Sequence, residues 1–408
     1  MTDHTPAGSN ASVFPLRVLM LLATAVFVSV TAEFMPTGLL PQIARGLEVS
    51  EAQVGLLVTI FAATVVLTAM ALSILTRRYS RKSLVVAALI VMALSNVLAA
   101  VAPSFAVMVA ARVVGGLAHG LFFALANAYA AYLVPRERLG RAVAILTAGG
   151  TMAFVLGVPL GTALGNAFGW RLAFIALAVI ILSLALALMV TLPQVSREVA
   201  LSTGEIALPV RLDPTLPLVL VAALIVVLAL GGHNTFYVYI APYLIDVAGF
   251  EGQGVAGVLF VYGGAGALGV AAAGVLGDRF PRGALVGMLL VATVSIAMLG
   301  ARGTGDLWVI SMVVIWAAAF GGIPALLQLR LLRAVSVRLR DFGSAVLVTA
   351  FNVGIGGGAL VGAVLYDPIG VQALAYAGAS GFALAVLVAV VADRIEHLRA
   401  SSPHSHQG

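Results

Sequence analysis

The sequence predicts an all-α membrane protein of twelve transmembrane helices, arranged as two six-helix bundles related by pseudo-two-fold symmetry. Its composition, its succession of apolar runs and a self-match at one fixed offset all point there. Of its 408 residues 62% are apolar and only 9% charged, whereas a soluble domain carries about 25% charged residues. So few charges cannot cover a water-facing surface. A spanning helix needs roughly 20 predominantly apolar residues, and the chain supplies such runs almost continuously.

Taken in order, the runs broken by Gly, Pro and charge lie near 14–36, 52–75, 84–102, 106–134, 141–164, 171–192, 217–245, 254–276, 284–300, 307–329, 343–365 and 371–392. They divide the chain into an N-terminal tail (1–13), a first bundle (14–192), a linker (193–216), a second bundle (217–392) and a C-terminal tail (393–408). The first run reads as a retained span and not as a cleaved signal, because its leader lacks Lys and Arg. With both termini cytoplasmic, the outer loops hold only Arg45, Arg171 and Arg302 of the 22 basic residues. Arg77, Arg78, Arg81 and Lys82 follow span 2, and Arg136, Arg138 and Arg141 follow span 4, which is the positive-inside pattern. The net charge of +6 is therefore a topology signal and does not indicate a nucleic-acid partner. The absence of cysteine excludes disulfides and thiolate metal sites.

An offset of 201 residues aligns Ser73–Arg81 with Gly274–Arg282 and pairs Pro41 with Pro242, Gly157 with Gly358, Gly161 with Gly362 and Gly169 with Gly370. One shift relating separate regions at equivalent places of a six-span unit indicates duplication. Parallel repeats of this kind place a substrate site near the midplane between the halves.

Gly274-x3-Asp278-Arg279-x2-Arg282 resembles the loop motif of the major facilitator superfamily, in which an acid at a helix end pairs with nearby cations and latches one state of a rocking cycle. The first half keeps cations at Arg78 and Arg81 but has Arg77 in the acid's place. Plain membrane anchoring is the alternative role for these cations.

Within span 4, Arg112, Gly116 and His119 share one helical face, and the histidine falls near mid-membrane, where an ionisable group is costly and points to function. Arg112 resembles the fourth-helix arginine of proton-coupled facilitators. Glu33 is the only acid inside the predicted spans. It counts toward the outer half of span 1, within reach of Arg112 or His119, and a change in its protonation would carry the proton leg of transport. The alternatives are a structural hydrogen-bonding histidine and a solvated interfacial carboxylate. In span 5, Gly149, Gly157, Gly161 and Gly165 form a stripe interrupted by a kink at Pro159. The stripe resembles the antiporter motif of drug:proton exporters, although helix packing needs such glycines under either reading.

The broadest resemblance is to bacterial sugar-efflux (arabinose-type) transporters of the twelve-helix drug:proton antiporter group. It is carried by Glu33–Leu40, Ala118–Phe123, Gly157–Gly161, Phe168–Arg171, His233–Pro242 and Phe351–Gly358. The resemblance implies a major facilitator fold in a bacterial inner membrane, working as a monomer on a small molecule and protons, with the proton gradient as energy source and no cofactor or metal. It implies proton-coupled efflux of a sugar-like compound. A chloramphenicol-type or multidrug exporter and an uptake symporter are the alternatives. His119, Phe123, Asn127, His233, Asn234, Tyr237 and Asn352 offer amides, phenol, imidazoles and ring faces suited to lining a cargo cavity. Neither a nucleophile with its base nor a phosphate-cradling loop appears in the sequence, which argues against an enzyme or an ATP-driven pump.

Overall fold

The chain's apolar runs have no water in which to satisfy their backbone, so each closes its hydrogen bonds within itself as a helix. The computed structural model describes residues 15–76, 78–135, 138–194, 213, 215–280, 283–301, 305–336 and 339–401. Arg77, Arg136, Arg282, Arg302, most of the linker and the side chain of Asn127 lie outside the described residues. The first half comprises α1 (Leu16–Leu47), α2 (Glu51–Leu75), α3 (Arg81–Ala100), α4 (Phe105–Leu133), α5 (Leu139–Met152), α6 (Val158–Phe168) and α7 (Trp170–Thr191). A π-helical turn, Ala153–Gly157, joins α5 to α6 into one crossing. The second half comprises α8 (Leu216–Tyr237), the short α9 (Ile240–Pro242), α10 (Gly252–Arg279), α11 (Gly283–Gly300), α12 (Asp306–Ala334) and α13 (Arg340–Ser401).

Among the described residues eleven apolar segments are long enough to cross a membrane, and the last, Phe342–Ile395, has 54 residues. At 1.5 Å per residue that is about 80 Å, more than twice a hydrocarbon core. It is two crossings joined at Gly370, whose φ of 77° and ψ of 158° break the helix. Twelve crossings result. Gly169, at φ 92°, turns the chain between α6 and α7 at the position the 201-residue shift equates with Gly370. A left-handed φ favours glycine, so the duplicated pair marks the same corner in both halves.

The duplicated glycines also make the same helix contact twice. A Cβ at Gly157 would lie 1.9 Å from Thr31 Oγ1 and one at Gly161 2.4 Å from Met35 Cε, both on α1; at Gly358 and Gly362 it would meet Gly231 O at 2.3 Å and Thr235 O at 2.7 Å, both on α8. Gly149 and Gly165 extend the first stripe onto Ala23 and Leu39. The span 5 glycines are thus the surface on which that crossing packs against α1. With lipid as apolar as the side chains, close backbone approach and its dispersion contacts hold such helices together.

Two expected breaks differ in the structure. The kink expected at Pro159 is taken up one turn earlier by the π-helical segment, where Val158 N–H reaches back to Ala153 O ahead of a proline that has no N–H to give. Span 1 does not end at 36; α1 continues through Pro36 and Pro41 to Leu47.

One face of the molecule, here the basic face, carries the α2–α3 and α4–α5 loops. On the opposite face the halves close. Thr59 Oγ1 donates to Gly356 O at 3.0 Å, Tyr366 donates to the Glu51 carboxylate, and Asn166 donates to Gly252 O. Toward the basic face they part: Val54, Leu57, Val58, Phe61, Ala62 and Val65 of α2 are buried, whereas none of its described side chains from 66 to 75 is. In the same way the basic-face half of α13 buries the single stripe Gly343, Leu347, Ala350 and Gly354, and gains a second buried face only from Gly356 onward. The central space opens to the basic face.

Among the described glycines, Gly263 of α10 is the one whose added Cβ would come nearest the other half's backbone, 2.2 Å from Phe154 O, while a Cβ at Gly264 would meet nothing within 4 Å. Gly263→Ala is expected to destabilise the detergent-solubilised protein by about 1–3 kcal/mol, and Gly264→Ala by less than about 0.5 kcal/mol. Thermal unfolding of the two variants checks this, and equal effects would contradict the packing described.

Candidate functional site

Pro36 has no N–H, so the carbonyl four residues earlier, Ala32 O, loses its helical partner in the middle of the molecule. Arg112 of α4 supplies it: Nη1 donates to Ala32 O at 2.8 Å, Nη2 to Glu33 O at 2.6 Å and Nε to Leu57 O at 3.4 Å. The guanidinium also lies 4.3 Å from the centroid of the Phe61 ring, a cation–π contact. Its partners in α1 are backbone oxygens, not the Glu33 carboxylate. Two glycines let α4 come close enough to do this: a Cβ at Gly116 would be 2.9 Å from Phe61 O of α2, and one at Gly115 2.9 Å from Ser95 Oγ of α3.

Because α1 runs through Pro36, Glu33 is the eighteenth of its 32 residues, at the centre of the helix and not in its outer half as the shorter span implied. Its Oε2 lies 3.7 Å from His119 Nε2, and both side chains are 6% exposed. Ser29, one turn before Glu33 on the same face, places its Oγ 2.9 Å from His119 Nδ1. With that hydroxyl donating, the imidazole proton sits on Nε2 and points at the carboxylate. Glu33 Oε1 has no hydrogen-bond partner among the described residues. Phe123, half-buried, stacks on His119 at 4.5 Å between centroids and 22° between planes, and Phe61 meets the same ring edge-on at 5.1 Å. The result is a buried carboxylate–imidazole–hydroxyl chain beneath an aromatic cover. A proton held there neutralises the carboxylate; its loss leaves a charge that Arg112 and His119 are placed to balance.

In the second half His233 is sandwiched between Phe320, at 3.5 Å and nearly parallel, and Tyr237, at 4.8 Å. Trp316 lies 5.2 Å from His233 and from Tyr262. Tyr237 reaches across to the first half, 6.3 Å from Phe34 and 6.1 Å from Phe154. The sequence-predicted residues therefore form two groups, Glu33–His119–Phe123 with Arg112 and His233–Tyr237. Asn234 and Asn352 join neither: each donates to its own helix four residues back, at Leu230 O and Val348 O. Sequence reasoning missed Ser29, Phe34, Phe61, Phe154, Tyr262, Trp316 and Phe320. The repeat held a signal for some of them, since the 201-residue shift carries His119 onto Phe320 and Phe61 onto Tyr262.

Of the loop-motif residues, Asp278 accepts from Arg333 Nη2 at 2.8 Å, and Arg333 Nη1 donates to Gly277 O, a clasp between α10 and α12 within one half. Arg78 lies over Tyr79 and Arg279 over Phe280. Arg81 opens α3, and Gly274 faces open space.

Two related helical bundles, closed on one face and parted on the other around buried ionisable groups, define a membrane carrier with a central space between its halves. The chain belongs to the Major Facilitator Superfamily, whose family model matches residues 22–340. It is a multi-pass transporter of small molecules and not an enzyme. Among solved structures it is similar to a bacterial homologue of the human lysosomal transporter Spinster in an inward-facing, occupied conformation. The identity is 18% with a TM-score of 0.74, covering 97% of this chain and 100% of that one. The unoccupied form of that homologue gives 18% and 0.69 over 94% and 96%. The human organic anion transporter MFSD10 (TETRAN) gives 16% and 0.67 over 92% and 99%. At such identities the likeness is one of fold.

If Arg112 satisfies the carbonyl that Pro36 orphans, Arg112→Leu destabilises by about 1–3 kcal/mol, the range for a buried unsatisfied polar group, and Pro36→Ala recovers part of that loss. A double-mutant cycle of thermal midpoints measures the coupling; strictly additive effects would show that the two residues act apart.

Proposed function

We propose that this carrier exports a small sugar-like molecule from the bacterial cytoplasm in exchange for protons, as a monomer with both termini inside. The single observation that carries the reading is the buried Glu33–His119–Ser29 chain. A carboxylate at mid-membrane is retained against its desolvation only where it works or is paired, and here one oxygen has no hydrogen-bond partner among the described residues. The basic loops support a cytoplasmic open face through the positive-inside rule.

In this reading a proton entering from outside is held at Glu33 and leaves when the central space faces inward. The imidazole of His119, whose Nε2 lies 3.7 Å from the carboxylate, is placed to relay it. Cargo then binds between the halves and the closure on the far face reopens, so that cargo outward and proton inward share one cycle. The glycine stripe of span 5 supports the antiport assignment by its resemblance to exporters, and its packing on α1 joins that motif to the helix that carries Glu33. One structural neighbour is described as an organic anion transporter; Arg112, turned toward carbonyl oxygens, lends that cargo no support here.

Everted vesicles test the coupling. Glu33→Gln and His119→Ala are expected to insert and fold yet lower proton-driven cargo accumulation to the level of vesicles without a gradient, while cargo exchange down its own gradient persists in Glu33→Gln. Undiminished proton-driven accumulation in both variants would refute the assignment.

A further inference from the structure

On the closed outer face one stripe of α2 meets the second half at three successive turns. Glu51 accepts from Tyr366, a Cβ at Gly55 would lie 1.9 Å from Tyr239 Oη, and Thr59 donates to Gly356 O. Tyr239 is fully buried and donates to Ala359 O at 3.2 Å, and a Cβ at Gly362 would meet its ring from its own half at 2.5 Å. Its ring lies 5.2 Å from that of Tyr366. The phenol bonded to Glu51 thus leans on a ring held between the two halves. The other flank of the outer face makes the matching contact without an ionisable group. The 201-residue shift equates Glu51 with Gly252, and Asp367, the neighbour of Tyr366, with Asn166. There Asn166 donates to Gly252 O and accepts from Gln42.

Glu51 stands at a cavity of about 510 Å³ on this face, whose walls carry Arg45 and Glu48 of the first half and Asp246 of the second. Asp246, on the π-helical turn Tyr243–Val247, opposes a charge on Glu51, and Arg45, at the end of α1, favours it. Both are exposed, as are Glu48 and Asp367, so water and salt screen them. Glu51 and Tyr366 are half-buried. The larger change on closure is therefore the loss of water around the carboxyl. A charged carboxylate exchanges its hydration for a single phenol bond, and although that bond is stronger to a charge, drying a charge costs far more than drying a neutral group. A protonated carboxyl keeps the Tyr366 bond through its carbonyl oxygen. Closure is easier with the proton on.

We propose that Glu51 is a proton-operated latch of the outer face: protonated from outside it lets the halves close on the α2 flank, and ionised it favours their parting, while the Asn166–Gly252 flank closes alike at any pH. Acid outside thus turns the carrier toward its inward-open form, the direction in which a proton taken up outside must travel. The proposal rests on the reading that the outer face opens during transport, and it makes no use of the proton at Glu33.

The chain has no cysteine, so spin labels at Ser104→Cys and Asp306→Cys report only from those two sites, which are exposed in the outer loops of opposite halves. Double electron–electron resonance on the reconstituted full-length protein reads the distance between them. Glu33→Gln is included throughout, which removes the central carboxylate from the titration. Between about pH 5 and about pH 8 the ratio of outer-open to outer-closed protein is expected to rise about fivefold or more. Adding Glu51→Gln, which is neutral at every pH, is expected to hold the short, closed distance across the range; its elution profile and helical circular dichroism show that it folds. A distance distribution that does not change with pH, or the same pH response in folded Glu51→Gln, overturns the proposal. A response lost in Glu51→Gln, alongside undiminished proton-driven accumulation in Glu33→Gln vesicles, would refute the coupling at Glu33 and leave the latch standing.

Discussion

Arg112 holding the carbonyls around Pro36 is the interaction on which the rest of the site depends. A proline in mid-helix both removes a donor and bends the chain, and in a membrane no water is at hand to repair the loss. The guanidinium fork repairs it from α4, which ties α1 to α4 at the depth of Glu33 and sets the carboxylate beside His119. The glycines of α4 allow that approach, and those of span 5 let a third helix close on the other side of α1. Structural and ionisable roles therefore share the same few residues. Arg112 is a positioning residue first, and its charge balances the carboxylate next to it.

The two halves repeat a scaffold and divide its chemistry. Gly169 and Gly370 turn the same corner, and Gly157, Gly161, Gly358 and Gly362 make the same helix contacts. Yet the shift that aligns them carries Glu33 onto Asn234, His119 onto Phe320 and Arg112 onto Val313. The second half thus has an uncharged version of the first half's site, in which Asn234 bonds to its own helix and Phe320 stacks on His233. The buried carboxylate and guanidinium thus lie in one bundle, and the larger buried aromatic cluster in the other. Tyr237, between Phe34 and Phe154, is where the two meet.

Much of the architecture was legible because membrane physics leaves few choices: apolar length gives the spans, and glycine and proline give most of the corners. Glu33 and His119 were legible as ionisable groups at apolar depth. Their surroundings were less so. Pro36 read as a helix end because the residue that repairs the Ala32 carbonyl it orphans is 80 positions from Ala32. Asn234 and Asn352 read as cavity groups, and periodicity does not reveal that each amide also donates to its own turn. Trp316, Tyr262 and Phe320 resembled ordinary apolar filling, and only their convergence on His233 in three dimensions distinguishes them.

The central claim, that Glu33 takes up and releases the transported proton, is tested most directly by infrared difference spectroscopy of the reconstituted protein as cargo is added. The account predicts that a protonated-carboxyl C=O band loses intensity on cargo binding, and that the change is absent in Glu33→Gln. The same band change in Glu33→Gln, or its absence from the unsubstituted protein while cargo binds, would contradict it.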